Sequence, residues 1–172
     1  MTWNITDHRM GLQDILATES ANASGLLSGQ QPPQGTIVRA VDDVYGPAEF
    51  IFLRGVASTV PGDVVTYVPF YNNGAGSTTR AVAATRGALA VAVSSNVANQ
   101  NGWYQISGYA VVNGSGMTAG SLLYVNATAG TLSSTSTTAQ KVDGAYCVLA
   151  SGTPAAGQAL VILNRPSANG NS

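Results

Sequence analysis

The stretch Gly102-Trp103-Tyr104-Gln105-Ile106-Ser107-Gly108-Tyr109-Ala110-Val111-Val112 constrains the fold more than any other. Read at period two, Trp103, Gln105, Ser107, Tyr109 and Val111 share one side. Tyr104, Ile106, Gly108, Ala110 and Val112 share the other. Alternation of this kind, rich in aromatic and β-branched residues, predicts a long strand. Gly108 takes a side chain away in mid-strand, which marks a bulge, a bend or a close backbone approach. The first side carries larger rings, so a sheet is expected to close around this strand.

The flanking sequence supports an all-β fold. Short β-rich runs are separated by turn signals from Thr36 onward: Thr36 to Val41, Ala48 to Arg54, Val64 to Val68, Thr79 to Ala83 and Ala88 to Val93. After the long strand come Ser121 to Val125, Thr131 to Ser134, Val142 to Ala150 and Gln158 to Leu163. Val60-Pro61-Gly62-Asp63 has Pro then Gly where a type II turn wants them. The alanines between Arg80 and Val93 also allow a helix, but Gly87 and the alternating valines favour strands. Many short strands with glycine turns predict a single β-sandwich or barrel over residues 36–166. Residues 167–172 read as a polar tail.

Residues 1–35 read as an extended amino-terminal arm. Trp3 and Ile5 alternate with polar neighbours, and Asp7-His8-Arg9 then interrupts. Leu12, Ile15 and Leu16 have helical spacing for one or two turns, too short to hold in water without a surface to pack on. Gln30-Gln31-Pro32-Pro33-Gln34-Gly35 reads as a stiff linker. Such an arm is expected to find no apolar home in its own molecule. That makes Trp3, Ile5, His8, Arg9, Met10, Leu12, Ile15 and Leu16 candidate contacts to a neighbouring subunit. A disordered leader is the plainer alternative.

Charge and cysteine content bound the function. Only 9% of residues are charged and the net charge is −1, against about a quarter charged in ordinary domains. There is no basic footprint for nucleic acid. No apolar run is long enough to span a bilayer, and no secretory signal opens the chain. So weakly charged a surface suits a protein docked on something larger better than a free monomer. Cys147 is the only cysteine. It lies in an apolar run, so it reads as a buried, inert thiol.

The search for catalytic chemistry finds no set of groups. His8 is the only histidine, and a Ser-His-Asp arrangement would need the arm to fold back rigidly. Asp42, Asp43 and Glu49 flank a turn without the oxygen-ligand spacing of a calcium loop, and read as solvated turn residues. No pair of acids is singled out for glycosidic chemistry. Gly114-Ser115-Gly116 and Gly74-Ala75-Gly76 open no helix and carry no following lysine, so neither is a phosphate loop. No cofactor, no metal and no enzymatic activity is expected. Trp103, Tyr104 and Tyr109 read as core or subunit-interface residues; stacking on a sugar is the alternative.

Five segments carry a resemblance. They are Gly102 to Gly108, Ala119-Gly120-Ser121-Leu122-Leu123-Tyr124, Ala129-Gly130-Thr131-Leu132, Val142-Asp143-Gly144-Ala145 and Leu160-Val161-Ile162-Leu163-Asn164-Arg165-Pro166. Together, over about residues 60–166, they resemble the capsid decoration (cement) proteins of tailed bacteriophages. The shared elements are short and glycine-based, and residues 1–35 carry none of them. The resemblance implies a β-rich, usually trimeric protein on the outer surface of an expanded icosahedral head. It would be made in the host cytoplasm and staple neighbouring major capsid subunits, with no nucleic-acid or membrane partner. A carbohydrate- or receptor-binding β module on a virion is the alternative, with Trp103, Tyr104 and Tyr109 exposed in one groove.

Overall fold

A computed structural model describes residues 3–6, 14–20, 32–68, 78–135 and 140–169. Every regular element among them is a strand. In chain order these are β1 (Trp3–Ile5), β2 (Thr18–Ser20), β3 (Ile37–Asp42), β4 (Gly46–Arg54), β5 (Val64–Tyr67) and β6 (Thr78–Arg80). They continue with β7 (Gly87–Ala92), β8 (Gln100–Asn113), β9 (Leu122–Val125), β10 (Leu132–Ser133), β11 (Lys141–Leu149) and β12 (Gln158–Asn169). The all-β expectation holds, and no helix forms between Arg80 and Val93; but β6 stops at Arg80 and pairs with β5 alone, so it and β7 are not the paired strands that Thr79–Ala83 and Ala88–Val93 suggest.

All the strands join one antiparallel sheet, in the order β1-β3-β4-β8-β7-β12-β11-β9-β10, with β2 on β8, β5 on β7 and β6 on β5. The path is open, ending at β1 and β10, so the sheet does not close into a barrel. It curls instead. β8 pairs with β12 from Ser107 to Asn113, β7 meets β8 at Tyr104 and Gln105, and the far end of β12 meets β7 at Ala88 and Gly87. These three strands form a triangle, each side made by a different stretch of the same strands.

β8 is the hub, pairing with β2, β4, β7 and β12. Its two sides enter different cores. Trp103 packs with Val38, Phe50 and Phe52 on one face, while Tyr104 and Ile106 pack with Leu53, Val65 and Ala90 on the other. Farther along, Ala110 and Val112 enter a third cluster with Leu123, Cys147 and Val161. The switch between clusters falls at Gly108, where φ is +90°. A Cβ there would lie 2.5 Å from the Pro47 carbonyl oxygen. Both the bend and the close approach expected of this glycine are present.

The expectation of an arm without an apolar home is corrected. Trp3 registers opposite Asp42 in β3, is buried, and stands edge-on to Phe50 with ring centroids 4.9 Å apart. Ile15 is fully buried in the same cluster, and Ile5 packs against it. β2 pairs with Gln100 to Gly102 of β8. Three-residue strands suffice here because each adds to an existing sheet and nucleates nothing itself. Near Ile15 the backbone forms a turn rather than a helix: Ala17 N–H donates to the Asp14 carbonyl and Leu16 N–H to its carboxylate. An Asx-type bond of this kind offers the chain an alternative to helix. His8, Arg9, Met10 and Leu12 lie outside the described residues.

Two smaller expectations also change. The tail begins later than expected, because β12 runs on to Asn169 and buries Ala168 against the third cluster. The Pro-rich linker ends in a turn, with Thr36 N–H donating to the Pro33 carbonyl at 3.0 Å. The turn at Val60–Asp63 is as expected: Asp63 N–H donates to the Val60 carbonyl, and Gly62 has φ +87°. The same one-turn closure precedes β9 at Thr118–Ser121 and β10 at Thr128–Thr131.

Candidate functional site

Trp103, Tyr104 and Tyr109 do not form a site together. Trp103 and Tyr104 are both fully buried, on opposite faces of β8, while Tyr109 is 38% exposed. The aromatic groove that a sugar-stacking reading needs is therefore absent from β8. Burial pushes the Tyr104 phenol up to about 12. It is neutral and enclosed. Burial likewise raises the Cys147 thiol, whose Sγ faces the Leu149 carbonyl at 3.2 Å. That is the inert cysteine expected from its apolar setting.

Most of the described acids are committed to structure. Asp63, nearly fully buried, accepts from Arg80 Nε at 2.8 Å, from Asn113 Nδ2 and from Val60 N–H. Lys141 and Asp143 pair at 3.0 Å on the surface. Asp42 is not the solvated turn residue its position suggested. It is buried, and its Oδ1 accepts from Val44 and Tyr45 N–H, both at 2.9 Å, holding the β3–β4 turn. No group of three or more metal-ligating side chains occurs among the described residues. His8 lies outside them, so the triad question has no geometry to judge.

Two surface features remain, and β8 contributes to both. The first is a row of side chains across four strands. Leu122 of β9 registers with Tyr146 of β11, Tyr146 with Ile162 of β12, and Ile162 with Tyr109 of β8. Directly opposed residues share a face of the sheet. Leu122 and Tyr146 are about half exposed, at 52% and 51%. The neighbours one step along, Leu123, Cys147, Val161 and Ala110, are buried in the third cluster. These strands are thus apolar on both sides, and none of the four outer residues is charged. A second row, Leu149, Leu160 and Val111, registers beside the first.

The second feature is a groove of about 600 Å³. Leu16, Tyr45, Val93 and Val111 contribute apolar wall, and Asp42, Asp43, Gln105 and Gln158 contribute polar wall. It joins the loop after β3, the turn before β5, the middle of β8 and the start of β12. No run of sequence signals it, because its residues meet only in the folded sheet. The row does leave a trace: Leu122-Leu123, Tyr146-Cys147 and Ile162-Leu163 are apolar at both phases of the alternation. One-sided strands do not read that way.

Compared with models of protein families, with curated proteins and with solved structures, the chain matches none. No helix among the described residues is long and apolar enough to cross a membrane.

Proposed function

We propose that the chain is a non-catalytic virion structural protein, a capsid decoration protein that binds the outside of an expanded icosahedral head. The observation that carries this reading is the uncharged row Leu122–Tyr146–Ile162–Tyr109, in which Leu122, Tyr146 and Tyr109 are exposed and Ile162 is partly so. Contiguous apolar surface with tyrosines is the usual mark of a protein–protein contact. In this reading the row is where copies of the chain meet in a trimer. Tyr109 is the one candidate interface aromatic not committed to the core.

A filled head stretches its lattice outward. A protein that binds only the expanded lattice stabilises it by mass action, and three linked copies multiply the effect through effective concentration. The stapling role changes from the one the sequence suggests. Trp3 and Ile15 are occupied by the chain's own core. Leu16, 42% exposed, is the described arm residue still open to the major capsid protein.

The test is a double variant, Leu122→Asp with Tyr146→Asp, at positions already half in solvent. Sedimentation of the wild type is expected to show a trimer and that of the variant a monomer. Occupancy on expanded heads, counted by particle imaging, should fall in parallel. A monomeric wild type removes the row from the account. Failure of the wild type to bind expanded heads removes the capsid.

A further inference from the structure

We propose that the groove between the β3–β4 loop and β8 takes an extended segment of a partner protein, which adds to the open edge of β8 at Val111. The inference does not rest on the capsid reading. It follows from where the backbone groups of β8 point after Gly108.

β8 and β12 pair in unbroken register from Ser107 to Asn113. Gly114 N–H donates to the Gly157 carbonyl, on the side of β12, whereas Asn113 N–H donates to the Gly62 carbonyl on the other side. Backbone groups alternate in direction along an antiparallel strand. Ala110 and Val112 therefore bond to β12, while Tyr109 and Val111 point their N–H and C=O away from it. β4 covers that far edge only as far as Ser107, opposite Glu49. Two residues on, the register reaches Tyr109 and Pro47, and Pro47 has no N–H to give. The Gln105 amide supplies the missing donor: Nε2 reaches the Ser107 carbonyl at 3.1 Å and the Tyr109 carbonyl at 2.8 Å. Two further on, the register reaches Val111 and Tyr45, but β4 begins at Gly46 and the chain has turned into the β3–β4 loop.

The groove opens at that departure, with Val111, Tyr45, Gln105 and Gly62 in its walls. Gln105 covers the β8 edge before Val111 and Gly62 covers it after. Between them, the Val111 N–H and C=O take no partner among the described residues on this side. A donor and an acceptor on one residue, facing the same way, are what a residue of extended peptide pairs with, through two hydrogen bonds. Leu16, Val93 and Pro61 offer apolar wall to the segment's side chains. Gln105, with both amide hydrogens spent, leaves Oε1 as a further acceptor for a neighbouring N–H.

The volume decides the kind of partner. About 600 Å³ is the size of a small-ligand cleft, room for a few residues of a single strand and too little for a strand carried in a sheet. The described strands of a second copy are all held in its own sheet. A linear segment of another protein is the occupant that fits.

The test titrates the isotope-labelled full chain with the uncharged peptide N-acetyl-Thr-Val-Thr-Val-Thr-amide, and with the same peptide methylated on every backbone nitrogen. Expected are an NMR shift and slowed hydrogen exchange at the Val111 amide, and binding of the unmethylated peptide about tenfold tighter. Leu16→Asp, at a position 42% exposed, should weaken binding with the fold intact. No response at Val111 up to millimolar peptide, equal binding of the two peptides, or unaltered affinity in the Leu16→Asp variant overturns the proposal. Slow exchange at Val111 in the peptide-free wild type, lost in the Leu122→Asp, Tyr146→Asp variant, overturns the choice of partner and gives the edge to a second copy.

Discussion

Glu49 accepts two hydrogen bonds from Arg165, from Nη2 at 3.0 Å and Nε at 3.3 Å, across 116 positions of sequence. The pair spans β8, because Glu49 registers with Ser107 and Ser107 with Asn164. Arg39 reaches the other carboxylate oxygen from β3 at 3.2 Å. Three strands that meet near the Gly108 bend are thus tied through one carboxylate.

That tie has a pH signature. Partial burial pushes the Glu49 carboxyl up, but hydrogen bonds from Arg165 and Arg39 outweigh it, and its pKa lies below the usual 4.5. A carboxylate lowered on folding stabilises the native state above its unfolded pKa and loses that contribution as pH falls through the folded one. Glu49→Gln should therefore be less stable than wild type at pH 7, by less than about 1 kcal/mol since both arginines are largely exposed. The difference should vanish in acid below the folded pKa. Urea unfolding at pH 7 and again well below pH 4.5 measures it.

The amino-terminal segment should behave as core. Trp3→Ala and Ile15→Ala each remove a buried side chain from the cluster under β3 and β4, at about 3 kcal/mol each. The expected result is a lower urea midpoint with little change in slope. Unchanged midpoints would mean that the segment leaves the sheet in solution.

What the sequence revealed and what it hid divide along physical lines. The alternation in β8 and its break at Gly108 are local properties, and both were legible. So were the Pro-Gly turn before β5 and the apolar setting of Cys147. β1 and β2 were hidden because three residues are too few to display a period. The Asp14 side-chain bond overrode the helical spacing at Ile15. The groove was hidden for a deeper reason: Asp42, Gln105 and Gln158 are brought together by strand register, which no short window contains. The apolar row was half legible, through residue pairs apolar at both phases, but lining up four strands required the pairings themselves.

The bend in β8 offers a sharper test. Gly108→Ala meets both a left-handed backbone and the Pro47 carbonyl, so a loss of about 2 kcal/mol or more is expected. Gly116→Ala is the control. Its φ is +65°, yet nothing lies within 4 Å of the added Cβ. It should show the backbone cost alone, about 1 kcal/mol. Thermal or urea unfolding of the two variants side by side separates the clash from the strain.

The triangle of β7, β8 and β12 carries a consequence for biosynthesis. β7 and β8 leave the ribosome well before β12 exists, and until it arrives each lacks a bonding partner along part of its length. A nascent chain in that condition exposes unpaired strand edges, the state most prone to stick to its neighbours. Pairings this distant also make for slow closure. Closure of the triangle therefore waits until β12 has emerged and paired with both earlier strands.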